Sequence, residues 1–225
     1  MEAKRKIPEL LRRYGFLCVA LLIMSFGVAF SIKASLGTSP ISSVPYVVSL
    51  FAPLTVGTIT IIMHCVFIAL QILILRRRYQ PVQLMQLPVA LVFGFMTDFA
   101  VWVLRDVHYS AYWQQWVLCA IGILLVGIGV SFEVTANVVV LAGEGLVLAV
   151  CAVNPKLKFG NIKVAFDVSL VVIACLLSFL FLHRLAGVRE GTVAAAILVG
   201  QIARRINVVL KSFDQKVLSG CHSGT

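Results

Sequence analysis

Four ionisable side chains in long apolar stretches of this 225-residue sequence are selected as functional candidates, because polar groups are costly in such surroundings. They are His64, Asp98, Glu144 and Asp167. Glu144 stands between two glycines in an interrupted apolar segment, so it is the carboxylate best suited to bind a solute or a cation. For Asp98 a structural ion pair is an alternative, because Arg105 lies two helical turns further on, on the same helix face.

Two apolar segments, 34–53 and 134–159, are interrupted by glycine or proline. In the first, Ser39-Pro40 is typical of a helix start, and Pro45 is expected to interrupt or kink that helix. The run 143–145 (GEG) is expected to break the second segment at the matching place. The predicted site residues in these segments are Ser39, Pro40, Ser43, Gly143, Glu144 and Gly145.

These segments have two alternative structures. Irregular backbone at membrane depth is tolerated where it is buried in protein or lines a water-filled cavity, which would make both segments re-entrant or broken helices. Alternatively, both are amphipathic helices that lie flat on the membrane surface. In the re-entrant arrangement the two segments would enter from opposite faces and meet near the midplane, where they would form a site together with His64 and Asp98.

The composition explains which elements carry these residues. Hydrophobic residues make up 60% of the chain and charged residues 12%, which excludes an ordinary soluble enzyme or nucleic-acid-binding domain. Six apolar runs are long enough to cross a bilayer as helices. They cover residues 14–33, 54–75, 84–104, 112–132, 163–183 and 190–210. The predicted fold class is therefore an all-α polytopic membrane protein with lipid as its surroundings.

The distribution of positive charge predicts the orientation. The formal net charge is +10, and 15 of the 19 Lys and Arg residues fall on one side if the N-terminus is inside. Positive residues favour the cytoplasmic side, so both termini are expected there, in a bacterial inner membrane. The first span has no small-residue cleavage site after it and is interpreted as an uncleaved helix. Lys33 and Glu133, at the ends of spans one and four, are expected to mark the membrane interface.

Short matches at a shift of about a hundred residues indicate an internal repeat. The matched positions are 27–30 with 129–132, 41–43 with 143–145, Gly57 with Gly160, and 90–94 with 196–200. Three spans in each half make the second half inverted relative to the first, an arrangement that recurs in transporters with the substrate path between the halves. The predicted organisation is a basic N-terminus, two three-helix repeats and a cytoplasmic tail. Their boundaries are 1–13, 14–105, 112–210 and 211–225.

Several of these motifs resemble one known family. The pattern G-x-S-P-I-x-S-x-P over 37–45, the 143–145 turn, F-G-x-x-K-x-x-x-D over 159–167 and R-E-G-T over 189–192 are similar to the YczE/YyaS/YitT group of bacterial integral membrane proteins. The resemblance covers most of residues 14–210. It implies a multi-span inner-membrane protein with no firmly established substrate.

Two classes of function are compatible with the sequence. The first is a transporter or channel for a small molecule or ion, with its path between the inverted halves. The second is a non-transporting membrane component, a substrate-capture subunit or a regulatory partner, that acts through another protein. No enzyme, metal or cofactor motif is present, and no nucleic-acid partner is expected. Both a homo-oligomer and a complex with a partner subunit are compatible with the chain.

Overall fold

The computed structural model describes residues 7–154 and 156–213, and this part of the chain contains helices and no strands. Eight α-helices follow one another in it. They are α1 (Ile7–Ala34), α2 (Pro40–Ser49), α3 (Val56–Leu75), α4 (Gln86–Val103), α5 (Tyr112–Ala136), α6 (Ala142–Val153), α7 (Phe159–Leu182) and α8 (Glu190–Phe213). Two short 3₁₀ turns, Arg76–Arg78 and Pro81–Met85, connect α3 to α4.

Six of these helices are long and apolar enough to cross a membrane, and they correspond to the six predicted spans. Many of their outward side chains are apolar and exposed, which suits contact with lipid. The helices α1 and α7 begin earlier than predicted, at Ile7 and Phe159, because helical structure continues through the charged residues that bound their apolar runs. Residues 1–6 and 214–225, which hold part of the predicted N-terminus and most of the predicted tail, lie outside the described residues.

The short helices α2 and α6 follow the first long helix of each predicted half. Helix α2 begins at Pro40 as predicted, with Ser39 as an extended N-cap residue (φ −60°, ψ 152°), although the Ser39 side chain does not cap the helix. The expectation that Pro45 interrupts the helix is wrong. Pro45 lies inside α2, and the helix continues to Ser49.

The run 143–145 was expected to break the second segment, and that expectation is wrong. These residues form the first turn of α6, and the non-helical stretch lies just before them, at residues 137–141. Several residues in the first turns of α2 and α6 are buried, including Ser43 and Gly143. Both short helices therefore begin among the long helices, as in the re-entrant alternative.

Left-handed backbone conformations end the same helices in both predicted halves. Ser35 (φ 55°) directly follows α1, and Asn137 (φ 48°) directly follows α5. Arg76 (φ 47°) and His183 (φ 51°) end α3 and α7. A non-glycine residue with positive φ is uncommon, so these four residues mark sharp ends of their helices.

Helices α1 and α5 pack closely and run antiparallel. A Cβ atom on Gly27 would lie 2.7 Å from the Val126 backbone nitrogen, and one on Gly129 would lie 3.0 Å from the Met24 nitrogen. As the position on α1 falls, its partner on α5 rises, which defines the antiparallel direction. Glycine is required at these contacts, because any side chain would meet the backbone of the other helix.

The last two helices pack against each other in the first half of the described chain but not in its second half. Helix α4 packs along α3, and a Cβ atom on Gly94 would lie 2.8 Å from the Gly57 carbonyl oxygen. In the described part of the chain, α7 and α8 have no comparable packing against each other. The second half is therefore open where the first half is closed.

Candidate functional site

A central cavity of about 400 Å³ lies between the two predicted halves. The starts of both short helices line it, together with parts of all six long helices. Of the nine predicted site residues, five line this cavity. They are Ser39, Pro40, His64, Glu144 and Asp167.

Three other predicted residues do not line the cavity but lie next to it, in the first turns of α2 and α6. The Ser43 hydroxyl donates to the Pro40 carbonyl at 2.6 Å, within the first turn of α2. A Cβ atom on Gly143 would contact the Ile41 side chain, so the missing side chain lets α2 and α6 approach at their starts. A Cβ atom on Gly145 would lie 2.6 Å from the Gln86 amide nitrogen. These residues hold the two short helices in place.

Asp98 does not line the central cavity, and its carboxylate accepts hydrogen bonds from residues at the start of α3. Its Oδ1 accepts a hydrogen bond from the Gly57 N–H at 2.7 Å, and its Oδ2 accepts one from the Thr55 hydroxyl at 2.6 Å. The expectation that Asp98 contributes to the midplane site is therefore wrong, and so is its alternative, an ion pair with Arg105. Arg105 instead pairs with Asp106 at 3.3 Å.

Glu133 is buried, contrary to the expectation that it marks the membrane interface. Only 1% of the residue is exposed, and its Oε1 accepts a hydrogen bond from the Leu141 N–H at 2.6 Å. Leu141 directly precedes α6, so Glu133 satisfies one of the N–H groups left free at a helix start. Lys33 differs, since it is partly exposed and donates from Nζ to the Arg105 carbonyl at 2.8 Å.

Glu133 also lines a second cavity of about 540 Å³. Residues 137–140 line this cavity, and Arg78, Gln80 and Gln83 are also in its wall. The buried carboxyl group thus stands between the two cavities.

Lys163 brings a positive charge to the central cavity. Its Nζ lies 2.9 Å from Asp167 Oδ1, one helical turn away on α7. In the sequence, Lys163 stands out only as the lysine of the F-G-x-x-K-x-x-x-D pattern and was not predicted as a site residue. Its four-residue spacing from Asp167 is the signal that would have revealed the pair.

His64 is the most deeply buried polar residue of the cavity wall that lacks a hydrogen bond. It is 1% exposed, and its Nδ1 has no hydrogen-bond partner among the described residues. Its ring centroid lies 6.0 Å from that of Phe93 and 6.1 Å from that of Phe67. A buried ring nitrogen without a partner is unusual, because most buried polar groups are hydrogen-bonded.

The wall of the cavity is incomplete between α7 and α8. Gly160 on α7 and Gly200 on α8 both line it, and Cβ atoms there would find no described atom within 4 Å. Their predicted counterparts, Gly57 and Gly94, are in direct backbone contact. The cavity thus extends into the gap between α7 and α8.

No group of three or more His, Cys, Asp or Glu residues in the described part of the chain is placed to hold a metal ion. The carboxyl groups of the cavity come from three different helices, α5, α6 and α7. Their arrangement suits one charged group on a larger ligand better than a bare ion, which requires several converging oxygen atoms.

Comparisons with known proteins identify a family and a relative. The chain matches the family described as "Family of unknown function (DUF6198)" over residues 11–208. It is 26% identical over 120 residues to "Uncharacterized protein YyaS" of Bacillus subtilis (strain 168), a match that covers 53% of this chain. The match spans 58% of the length of that relative. No solved structure matches the chain.

Proposed function

The chain belongs to the family of unknown function DUF6198, and we propose that it is a bacterial inner-membrane transporter for a small solute. The proposed path runs through the central cavity, between two inverted three-helix repeats. The transport cycle alternates between closure of the α3–α4 side and closure of the α7–α8 side. The observation that carries this proposal is the contrast between the contact of Gly57 with Gly94 and the open space at Gly160 and Gly200.

The packing of α1 on α5 supports the inverted repeat. A shift of 102 residues converts Gly27 into Gly129 and Met24 into Val126. The same shift therefore exchanges the contact of Gly27 with Val126 for the contact of Met24 with Gly129, and both contacts are present. Such an exchange between antiparallel helices is the property of a two-fold axis that lies across them.

The meeting of the short helices supports the same axis. Ile41 and Gly143 are counterparts at the shift of 102, and they contact each other at the starts of α2 and α6. A residue that contacts its own counterpart lies near the symmetry axis. In transporters with inverted repeats, the substrate site lies near the midplane at the repeat interface, where broken helices begin.

The distribution of charge supports an orientation with both termini in the cytoplasm. Fifteen of the 19 Lys and Arg residues fall on that side, and the bias of short loops toward positive charge is strong in bacterial inner membranes. In this orientation the gap between α7 and α8 extends toward the cytoplasm from the middle of the bilayer. The closed contact between α3 and α4 lies toward the outside.

Cysteine cross-linking tests the alternating closure. In a variant without native cysteines, Gly160→Cys and Gly200→Cys are introduced together and treated with a mild oxidant in membranes. We expect a disulfide to form, because the alternate state brings α7 onto α8 as α3 now lies on α4. The control is Ser25→Cys with Thr97→Cys, whose hydroxyl oxygens lie 3.4 Å apart across α1 and α4, so this pair should cross-link in the observed state.

The cross-link distinguishes the two classes of function. A transporter should form it in a fraction of molecules and should lose uptake once it has formed. A non-transporting component that acts through another protein has no need to close the gap. Complete absence of the 160–200 cross-link, alongside efficient cross-linking of the control pair, would therefore refute the proposed cycle.

A further inference from the structure

We propose that the central cavity binds a small amphiphilic organic cation, a protonated amine attached to an apolar body. This inference rests on the proposed function, because it names the class of solute that the same cavity would carry. It is based on the charges of the wall, an unpartnered polar atom and the chemistry of the remaining surface.

The described wall of the cavity has more carboxyl groups than ammonium groups. It contains the carboxyl groups of Glu133, Glu144 and Asp167 and one ammonium group, that of Lys163. Lys163 is paired with Asp167, and Glu133 accepts the Leu141 N–H. The Glu144 carboxylate makes no hydrogen bond or ion pair with any described residue. A carboxylate in such surroundings favours a cationic partner.

Two further acceptors belong to residues of the cavity wall. The buried Nδ1 of His64 has no partner among the described residues, and a neutral imidazole nitrogen can accept a hydrogen bond from an ammonium group. The carbonyl of Ile41, a residue of the cavity wall, lacks the usual donor four residues on, because Pro45 carries no N–H. An ammonium group has several N–H donors and suits this combination.

The rest of the wall is apolar and requires an apolar body on the ligand. Its side chains include Met24, Val28, Met63, Phe93, Val126 and Val130. A volume of about 400 Å³ is far larger than a bare ammonium or metal ion and lies within the usual range for small-molecule sites. An anion is disfavoured, because the Lys163 ammonium group is already neutralised by Asp167.

A charge series with one common body tests this inference. The probes are phenylbutylammonium, phenylbutanol and phenylbutanoate, and their binding is measured at pH 7 to the full chain in lipid nanodiscs, with empty nanodiscs subtracted. We expect the cation to bind about ten-fold or more tightly than either other probe, since hydrogen bonds to charged groups are the stronger ones. Equal or tighter binding of the alcohol or the carboxylate would overturn the inference, and so would no binding of any probe.

Variants of the carboxylates locate the effect. Glu144→Gln should reduce cation binding to the level of the alcohol, whereas Glu144→Asp should retain most of the preference. Asp106→Asn, which removes an exposed carboxylate outside the cavity, is the matched control and should change nothing. A cation preference that survives in folded Glu144→Gln would overturn the assignment. If that variant fails to fold, the charge series on the unaltered chain and on Glu144→Asp decides.

Transport of the same cation is measured separately. Uptake of isotope-labelled phenylbutylammonium is followed in proteoliposomes, and uptake by protein-free vesicles, which measures diffusion of the neutral amine, is recorded in parallel. Uptake above that of protein-free vesicles is expected if both proposals hold. Binding of phenylbutylammonium without any uptake would refute transport and leave the cation site standing.

Discussion

Alanine at Gly57 and alanine at Gly160 add the same methyl group at counterpart positions of the proposed repeat, yet they should disfavour opposite states. In the structure, a Cβ atom on Gly57 would contact the Gly94 carbonyl and lie 2.6 Å from an Asp98 carboxylate oxygen. A Cβ atom on Gly160 would meet no described atom within 4 Å. Gly57→Ala should therefore destabilise the observed state, and Gly160→Ala should destabilise the state in which α7 lies on α8.

The size of the effect follows from the contact. Inserting a methyl group into a tightly packed interface costs about 1–3 kcal/mol. A difference of that size between two states changes their ratio by about 5- to 150-fold. Gly57→Ala should thus shift molecules away from closure of the α3–α4 side, and Gly160→Ala should hold them in the observed state by a comparable amount.

Two measurements separate these effects. Thermal unfolding in detergent should show a lower midpoint for Gly57→Ala and an unchanged midpoint for Gly160→Ala. The accessibility of a single cysteine at Val199, in the cavity wall, reports the open α7–α8 side. Its labelling should increase in Gly160→Ala and decrease in Gly57→Ala.

The reasoning would be refuted by equal behaviour of the two variants. If Gly160→Ala lowers the unfolding midpoint as much as Gly57→Ala, the open space at Gly160 is absent in the protein. If Gly160→Ala leaves both labelling and transport unchanged, α7 does not close onto α8 and the two halves do not exchange roles.

Three further outcomes are expected. A cysteine at Ser110 should be labelled from outside intact cells, and one at Tyr79 should not; the reverse pattern would contradict the proposed orientation. Asp98→Ala should lower the free energy of unfolding by about 1.5–3 kcal/mol, because two hydrogen bonds to a charged group at the start of α3 are lost; a change within error in thermal or denaturant unfolding would argue against that role. Glu133→Gln retains an acceptor for the Leu141 N–H and should unfold near the native midpoint, whereas Glu133→Ala should lose about 1–3 kcal/mol; equal midpoints would show that the hydrogen bond does not matter.

Long apolar helices were predictable from the sequence because their signal is local. Each span has about 20 consecutive apolar residues, and lipid leaves the backbone no partner except its own helix. The start of α2 was predictable for the same reason, since Ser39 and Pro40 act on the turn that follows them. The boundaries of α1 and α7 were less accurate, because charged residues end an apolar run without ending a helix.

The roles of individual carboxyl groups were less predictable, because they depend on residues distant along the chain. Asp98 bonds to Gly57, 41 residues earlier, and nothing near Asp98 in the sequence indicates this contact. Glu133 lies at the end of a span, and its burial results from the return of Leu141 toward it. Glu144 was predicted as a site residue from a local feature, its position between two glycines in an interrupted apolar segment.

Gly160 and Gly200 have free space around them in the observed state, and this affects how sequence variation at these two positions is interpreted. A mutational screen that scores only the amount of folded protein should accept alanine at both positions, since neither methyl group meets a described atom. A screen that scores growth dependent on transport activity should show that alanine at these positions is not tolerated. Activity requires every state of the cycle, including states that are populated only briefly. Tolerance in the first screen and intolerance in the second would identify residues whose constraint comes from motion, a group that stability measurements on one conformation overlook.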